Sequence, residues 1–382
     1  MMTRKIITLI FAVAICLTGC TDKGFKVVLS GNETTDPVDT FSYRGYTNLA
    51  NLLAGKDIDD KAFLKEITSS AAFETHKASM SAMWERYQMS SIDVIRQWSQ
   101  ENLKESPDTV FYPFGGPDFN YLSSFFPECR LAVLVGIEQA GKLPFIDKLS
   151  MEHYTEILTS LRTSISSNVG LSFFQTLNMA EDLNSYLQGT LPVVTMFIAL
   201  HGYEVITINP VMIKDGKLVY TEPDKVFAHT LDKKIGDGFE VLYRKHGEKG
   251  ARRVCYLNSN LSNEAFSKNG MDKLIGKTFK GKLTFLKAAS YLLHQPEFSE
   301  VREAILQNSR TILSGPSGMP YEAYDKNKWN FKFFGNYVGP IPLFSTCVQD
   351  DLKAAYKSTT PSPINFRFDY HTSSSFTLAE KK

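Results

Sequence analysis

Two apolar runs, Val110 to Phe114 and Leu131 to Ile137, stand about 16 residues apart, and that spacing limits what the chain can fold into. A tight hairpin uses two to five connecting residues, whereas a crossover between parallel strands needs roughly a dozen or more. The connection opens on Gly115-Gly116-Pro117-Asp118, a turn, and continues through Phe119 to Phe126, a short helical stretch. The reading is a right-handed βαβ unit. Gly115, Gly116 and Glu138 then fall at the carboxyl ends of parallel strands, where open α/β sheets tend to hold their ligands.

Around that unit the periodicities predict a mixed α/β fold, with helices packed about a central sheet. Phe73, His76, Met80, Met83, Trp84 and Tyr87 recur at the spacing of one helix face, and Ile92, Ile95 and Trp98 continue it beyond Ser90-Ser91. His76 on that stripe reads as a packed core histidine. Helices are expected over 151–168, 173–187 and 191–201. Residues 204–258 read as antiparallel hairpins: strands at 204–208, 211–213, 218–220, 239–244 and 253–257, with Lys214-Asp215-Gly216-Lys217 as the sharpest turn. Further helices are expected over 283–294 and 298–313, separated at Pro296. Ser314 to Tyr321 is a breaker loop. Trp329, Phe331 and Phe333 alternate with polar residues as a one-faced strand. A helix near 347–357, a short strand at 365–370 and a polar tail complete the expectation, with 44–382 as a single domain.

Composition narrows the function classes. The 42 basic and 41 acidic residues are interleaved along the chain, so no clustered footprint for nucleic acid is present. Aromatic residues make up 12%, with 27 Phe, which points to a Phe-rich core, or to exposed platforms for a glycan or partner protein. Cys129, Cys255 and Cys347 lie far apart without CxxC spacing, so no zinc or redox motif is expected. They read as buried free thiols, with one long-range disulfide as the alternative. No metal or cofactor is called for.

At the N-terminus, Arg4 and Lys5 precede an apolar run from Ile6 to Leu17 and then Leu17-Thr18-Gly19-Cys20. The run is shorter than the roughly 20 residues a membrane-spanning helix needs, so it reads as a secretory signal. Its end resembles the lipobox of bacterial lipoproteins. The resemblance implies removal of residues 1–19 and acylation of Cys20 as the new N-terminus, so that the membrane is a partner through that lipid. Thr21, where an aspartate would favour the inner membrane, implies the outer membrane as the address. Residues 20–43 then form a tether. Three other runs, Phe111 to Asp118, Ala289 to His294 and Gly335 to Ile341, are similar to stretches of bacterial envelope proteins without a known activity.

No nucleophile elbow, phosphate loop, metalloprotease helix or full dinucleotide fingerprint occurs. Three groups remain as candidates. Tyr112, Gly115, Gly116, Asp118 and Glu138 combine close backbone approach with a carboxylate pair able to divide acid and base roles, although Asp118 is also placed to cap a helix. Ser290, Tyr291 and His294 would share one helix, with Ser290 and His294 four residues apart on the same face. Lys287 and Arg302 nearby could supply a cationic wall. The loop Ser314 to Tyr321 offers Ser317 and Tyr321 beside a backbone nest for an anion or sugar hydroxyls, or is a plain helix-to-strand turn. The expected function is a cell-envelope binding or assembly module for a small ligand, glycan or partner protein. The alternative is a hydrolase working through Asp118 and Glu138 or through Ser290 and His294.

Overall fold

Hydrophobic periodicity sets the N-terminal layer. In the computed structural model, which describes residues 43–58, 64–103, 106–144, 150–171, 187, 189–220, 238–370 and 374–382, the fold opens with α1 (Tyr43–Leu53), α2 (Lys65–Thr68) and α3 (Ala71–Tyr87). These residues belong to the unit Pro37–Lys382. Cys20, the tether before Tyr43 and the helix expected over 173–187, apart from Leu187, lie outside the described residues. The Ser70 hydroxyl accepts from the Phe73 N–H and caps α3, whose stripe of Phe73, His76, Met80, Trp84 and Tyr87 is buried. A π-helical turn, Gln88–Ile92, carries α3 directly into α4 (Asp93–Asn102), so Ser90-Ser91 widens the helix without ending it. Burial holds the fully buried His76 imidazole down at about 4, neutral, with Nε2 on the Leu53 carbonyl at 3.0 Å.

The βαβ unit forms as expected: β1 (Thr109–Pro113), α5 (Phe119–Phe125) and β2 (Leu131–Gly136), with β1 and β2 parallel from Thr109↔Leu131 to Pro113↔Val135. Next come α6 (Met151–Leu171) and α7 (Leu191–Leu200), then β3 (Tyr203–Lys214), β4 (Lys217–Tyr220), β5 (Gly238–Lys245) and β6 (Arg252–Asn258). The two strands expected at 204–208 and 211–213 are one strand, β3, with a bulge between Val205 and Thr207. Pro210 lies inside it, opposite Phe239 of β5, and among the described residues the pairing with β4 begins at Val211. The chain continues through α8 (Asn263–Phe266), α9 (Met271–Thr278), β7 (Lys282–Leu286), α10 (Ser299–Asn308), β8 (Ser309–Ser314), β9 (Trp329–Gly335), α11 (Asp350–Ser358) and β10 (Ser375–Lys381).

The strands form one mixed sheet in the order β4-β3-β5-β6-β2-β1-β7-β8-β10-β9. The middle five, β6-β2-β1-β7-β8, are parallel. β5, β3 and β4 extend one side antiparallel, and β10 and β9 extend the other, with β10 antiparallel to both its neighbours. Successive side chains of β1 serve opposite faces: Val110 and Tyr112 join the layer of Trp98, Phe125 and Phe197, while Phe111 joins that of Phe266, Phe279 and Ile305. The Phe-rich core is thus real on both faces, and Cys129 and Cys255, both buried, and Cys347 are free.

Three sequence expectations in the C-terminal half are corrected. Residues 283–294 are not a helix: β7 occupies 282–286 and an irregular loop follows, with a 3-10 turn only at Leu292–His294. The helix expected over 298–313 splits into α10 and β8, so Ile312 belongs to a strand. The strand expected at 365–370 is not formed, and the polar tail supplies β10 instead. A five-residue apolar run is ambiguous by period alone, and partners far away in sequence decide it. Here β7 is held between β1 and β8.

Candidate functional site at the carboxyl edge of the sheet

Because β6, β2, β1, β7 and β8 are parallel, their carboxyl ends share one edge. The chain moves outward from β1 through β2 to β6, then returns to β7 and moves outward again to β8. The strand order therefore reverses between β1 and β7, a topological switch point of the kind at which doubly wound sheets bind ligands. Backbone strain concentrates at this edge. Among the described residues, five of the seven non-glycine positions with positive φ, Phe114, Ala288, Ser290, Tyr291 and Asp369, lie in the loops after β1 and β7 or just before β10.

Asp118 is the hub of the loop after β1. Its Oδ1 accepts from the Tyr121 N–H at 3.1 Å and caps α5, while Oδ2 accepts from the Tyr112 hydroxyl at 2.7 Å and lies 3.0 Å from Lys287 Nζ. Asp118 and Lys287 are 3% and 1% exposed. Lys287 directly follows β7, so this ion pair bridges the switch point, and its ammonium also sits 4.0 Å over the Tyr121 ring. Asp118 is thus a cap and an ion-pair partner, shut away from solvent. The expectation of a cationic pocket wall is corrected for Lys287: its charge points inward, onto Asp118.

Glu138 presents its carboxylate differently. It is half-buried at the end of β2, with Oε2 accepting from the Tyr256 hydroxyl at 2.9 Å. Its backbone carbonyl accepts from Tyr256 at 2.7 Å and from Asn258 Nδ2 at 2.8 Å, both from β6, which fixes the turn that aims it. The carboxylate lies over two glycines. A Cβ on Gly116, whose φ is +54°, would sit 3.3 Å from Oε2, and one on Gly136 would collide with the carboxylate. Gly115 packs on the ring of Tyr112. Beside Glu138, Ile137 is 78% exposed.

The remaining candidates are tied up locally. Ser290 and His294 do not share a helix, and the Ser290 Oγ is bonded to the Tyr370 hydroxyl at 2.9 Å instead of to His294. His294 packs edge-on to Tyr291, 5.0 Å between centroids, and burial holds its pKa down at about 4. The serine–histidine arrangement is therefore corrected: it rested on a helix that the positive φ of Ala288, Ser290 and Tyr291 excludes. Arg302 donates to the Leu293 carbonyl at 2.8 Å. Ser317 is fully buried, donates to Asp369 Oδ2 at 2.7 Å and accepts from the Ala289 N–H at 3.0 Å. Burial raises the Asp369 carboxyl above its usual range. Tyr321 is half-buried, its ring covered by Lys326 Nζ at 3.3 Å.

Sequence reading missed a second feature of the same edge. A groove of about 1210 Å³ opens between α3 with its π-helical turn and the segment 361–367, bounded by Gly335 at the end of β9 and Ser374 before β10. None of the residues singled out for chemistry lines it. Among the described residues, no group of His, Cys, Asp and Glu could hold a metal ion, and no helix is long and apolar enough to cross a membrane.

No family model matches the chain, and no curated protein matches it. Among solved structures, that of the plantazolicin methyltransferase BpumL in complex with SAH aligns over 89% of this chain and 96% of its own, at 8% identity and a TM-score of 0.27. A TM-score that low does not make the two folds alike.

Proposed function

We propose that this chain is a lipid-anchored envelope protein, attached through Cys20 to the outer membrane, whose folded part binds a nucleoside-bearing small molecule at the carboxyl ends of β1 and β2. The observation that carries the binding reading is the Glu138 carboxylate, held by Tyr256 over Gly116 and Gly136 at the strand end. In doubly wound sheets an acidic side chain about 20 residues past the glycine turn accepts from the ribose hydroxyls, and Glu138 stands at that spacing and place. The exposed Ile137 next to it offers an apolar surface for a base. Phosphate is disfavoured. In nucleotide sites it sits on the free N–H groups of the first helix, and here the Phe119 N–H goes to the Pro117 carbonyl and the Tyr121 N–H to Asp118. The ligand class is therefore a nucleoside whose 5′ substituent is neutral or cationic.

Titration calorimetry with adenosine, S-adenosylhomocysteine, 2′-deoxyadenosine and NAD+ tests this. The first two are expected to bind, NAD+ no tighter than adenosine, and loss of the 2′-hydroxyl or Glu138→Gln to weaken binding by about tenfold, the worth of a charged hydrogen bond. Affinity for adenosine unchanged in Glu138→Gln would sink the reading. The anchor has its own test: Cys20→Ala should abolish incorporation of labelled palmitate and move the protein to the soluble fraction, and a palmitate-labelled Cys20→Ala protein would refute it.

A further inference from the structure

Tyr321, which takes no part in the Glu138 site, forms one wall of an aromatic box beside β9. The ammonium of Lys326 sits 3.3 Å from the Tyr321 ring centroid, 5.2 Å from that of Phe331 and 5.6 Å from that of Tyr324. All three lie within the roughly 6 Å over which a ring face attracts a cation. The Tyr321 and Phe331 rings meet at 67° and the Tyr324 and Phe331 rings at 88°, with centroids 5.0 and 5.1 Å apart. Walls set at such angles enclose a cation from several sides, as a stack of rings does not. Asp351, at the start of α11, and Glu322 both favour the Lys326 charge, against the burial that lowers its pKa.

The walls are fixed from behind. The Tyr321 N–H donates to Gln349 Oε1 at 2.8 Å, Tyr324 is buried edge-on against Trp329 at 5.4 Å, and Phe331 stacks on Phe333 at 6.2 Å. The occupant is free to leave. Lys326 lies in a turn of four exposed residues, Asp325 to Lys328, and Asp325 holds that turn by accepting from the Asn327 N–H at 3.0 Å. The Lys326 ammonium donates to the Tyr321 carbonyl, and rotation about its own side-chain torsions empties the box without moving the backbone. A rigid cage around a removable cation is a receptor for a cation from outside. A primary ammonium is strongly hydrated, whereas a quaternary ammonium presents methyl groups to the ring faces, and aromatic cages recognise it for that reason.

We propose that the box of Tyr321, Tyr324 and Phe331 binds the quaternary ammonium head of a free small molecule, with Asp351 and Glu322 supplying negative charge and Lys326 closing the site until the ligand displaces it. Competition with the resident lysine lowers the affinity of the unaltered chain by the fraction of time the box stands open. Calorimetric titration of the full chain with choline and with its neutral isostere 3,3-dimethyl-1-butanol tests this. Lys326→Ala is expected to bind choline at least about tenfold more tightly than the unaltered chain does. The isostere should bind that variant at least about fivefold more weakly than choline, the worth of one cation–π contact. Adding Phe331→Leu to Lys326→Ala should cost about fivefold in choline affinity, and Tyr321→Leu serves if the first double variant folds poorly. Lys326 is exposed, so its own substitution should leave folding intact. Choline affinity unchanged by Lys326→Ala, or absent with and without it, would overturn the proposal, as would an isostere bound as tightly as choline. So would capture of Lys326→Ala on phosphatidylcholine vesicles with no response to free choline, because the box would then read a lipid surface.

Discussion

Lys287→Met is expected to lower the free energy of unfolding by about 3 to 5 kcal/mol, measured by urea denaturation near pH 7, the cost of leaving one member of a buried ion pair uncompensated. Asp118 is the member left behind. It is 3% exposed, and its Oδ2 would keep only the Tyr112 hydroxyl. The effect is larger than that of a surface pair because both charges are out of water and the pair joins two segments far apart in sequence, the loop after β1 and the end of β7. Asp118→Asn in the same background removes the orphaned charge and retains an oxygen for the Tyr121 N–H. The double variant should therefore recover more than half of the loss, and a double-mutant cycle reads the coupling directly. A loss below about 1 kcal/mol in Lys287→Met would mean that the pair contributes little net stability, as exposed pairs do.

The contrast between Asp118 and Lys287 shows how far sequence reading reached. The cap was legible, because Asp118 follows a Gly-Gly-Pro turn and opens a helical stretch, and capping is a local interaction. The ion pair was not, since nothing around Lys287 indicates a partner in another loop. The same divide runs through the fold. The βαβ unit, the stripe on α3 and the Asp215-Gly216 hairpin rest on short-range periodicity and turn chemistry, and all three are present. β7 and β8 were misread as helix because short buried strands carry no alternation, and only pairing with β1 and β10 reveals them. For β10 a signal did exist: Phe376 and Leu378 alternate with Thr377, a strand pattern hidden by its polar surroundings. In the candidate site, Glu138 with its glycines was readable as a strand-end carboxylate. The groove was not, because its walls come from segments nearly 300 residues apart.

Trp98→Ala should be the most destabilising apolar change in the helix layer, costing about 3 to 5 kcal/mol in the same assay. Trp98, on α4, is buried and packs edge-on against Phe376 at 4.8 Å, Phe334 at 4.9 Å, Phe125 at 5.7 Å and Phe366 at 6.2 Å between centroids. One indole thus joins α4 to α5 and to the β9 and β10 side of the sheet. Trp98→Phe keeps an aromatic ring there and deletes an indole N–H that has no hydrogen-bond partner among the described residues, so it should cost less than about 1.5 kcal/mol. The pair separates packing from hydrogen bonding: equal losses in both variants would mean that the indole nitrogen matters after all. Adenosine binding at Glu138 should stay within about twofold in Trp98→Ala, as sites without shared contacts behave independently.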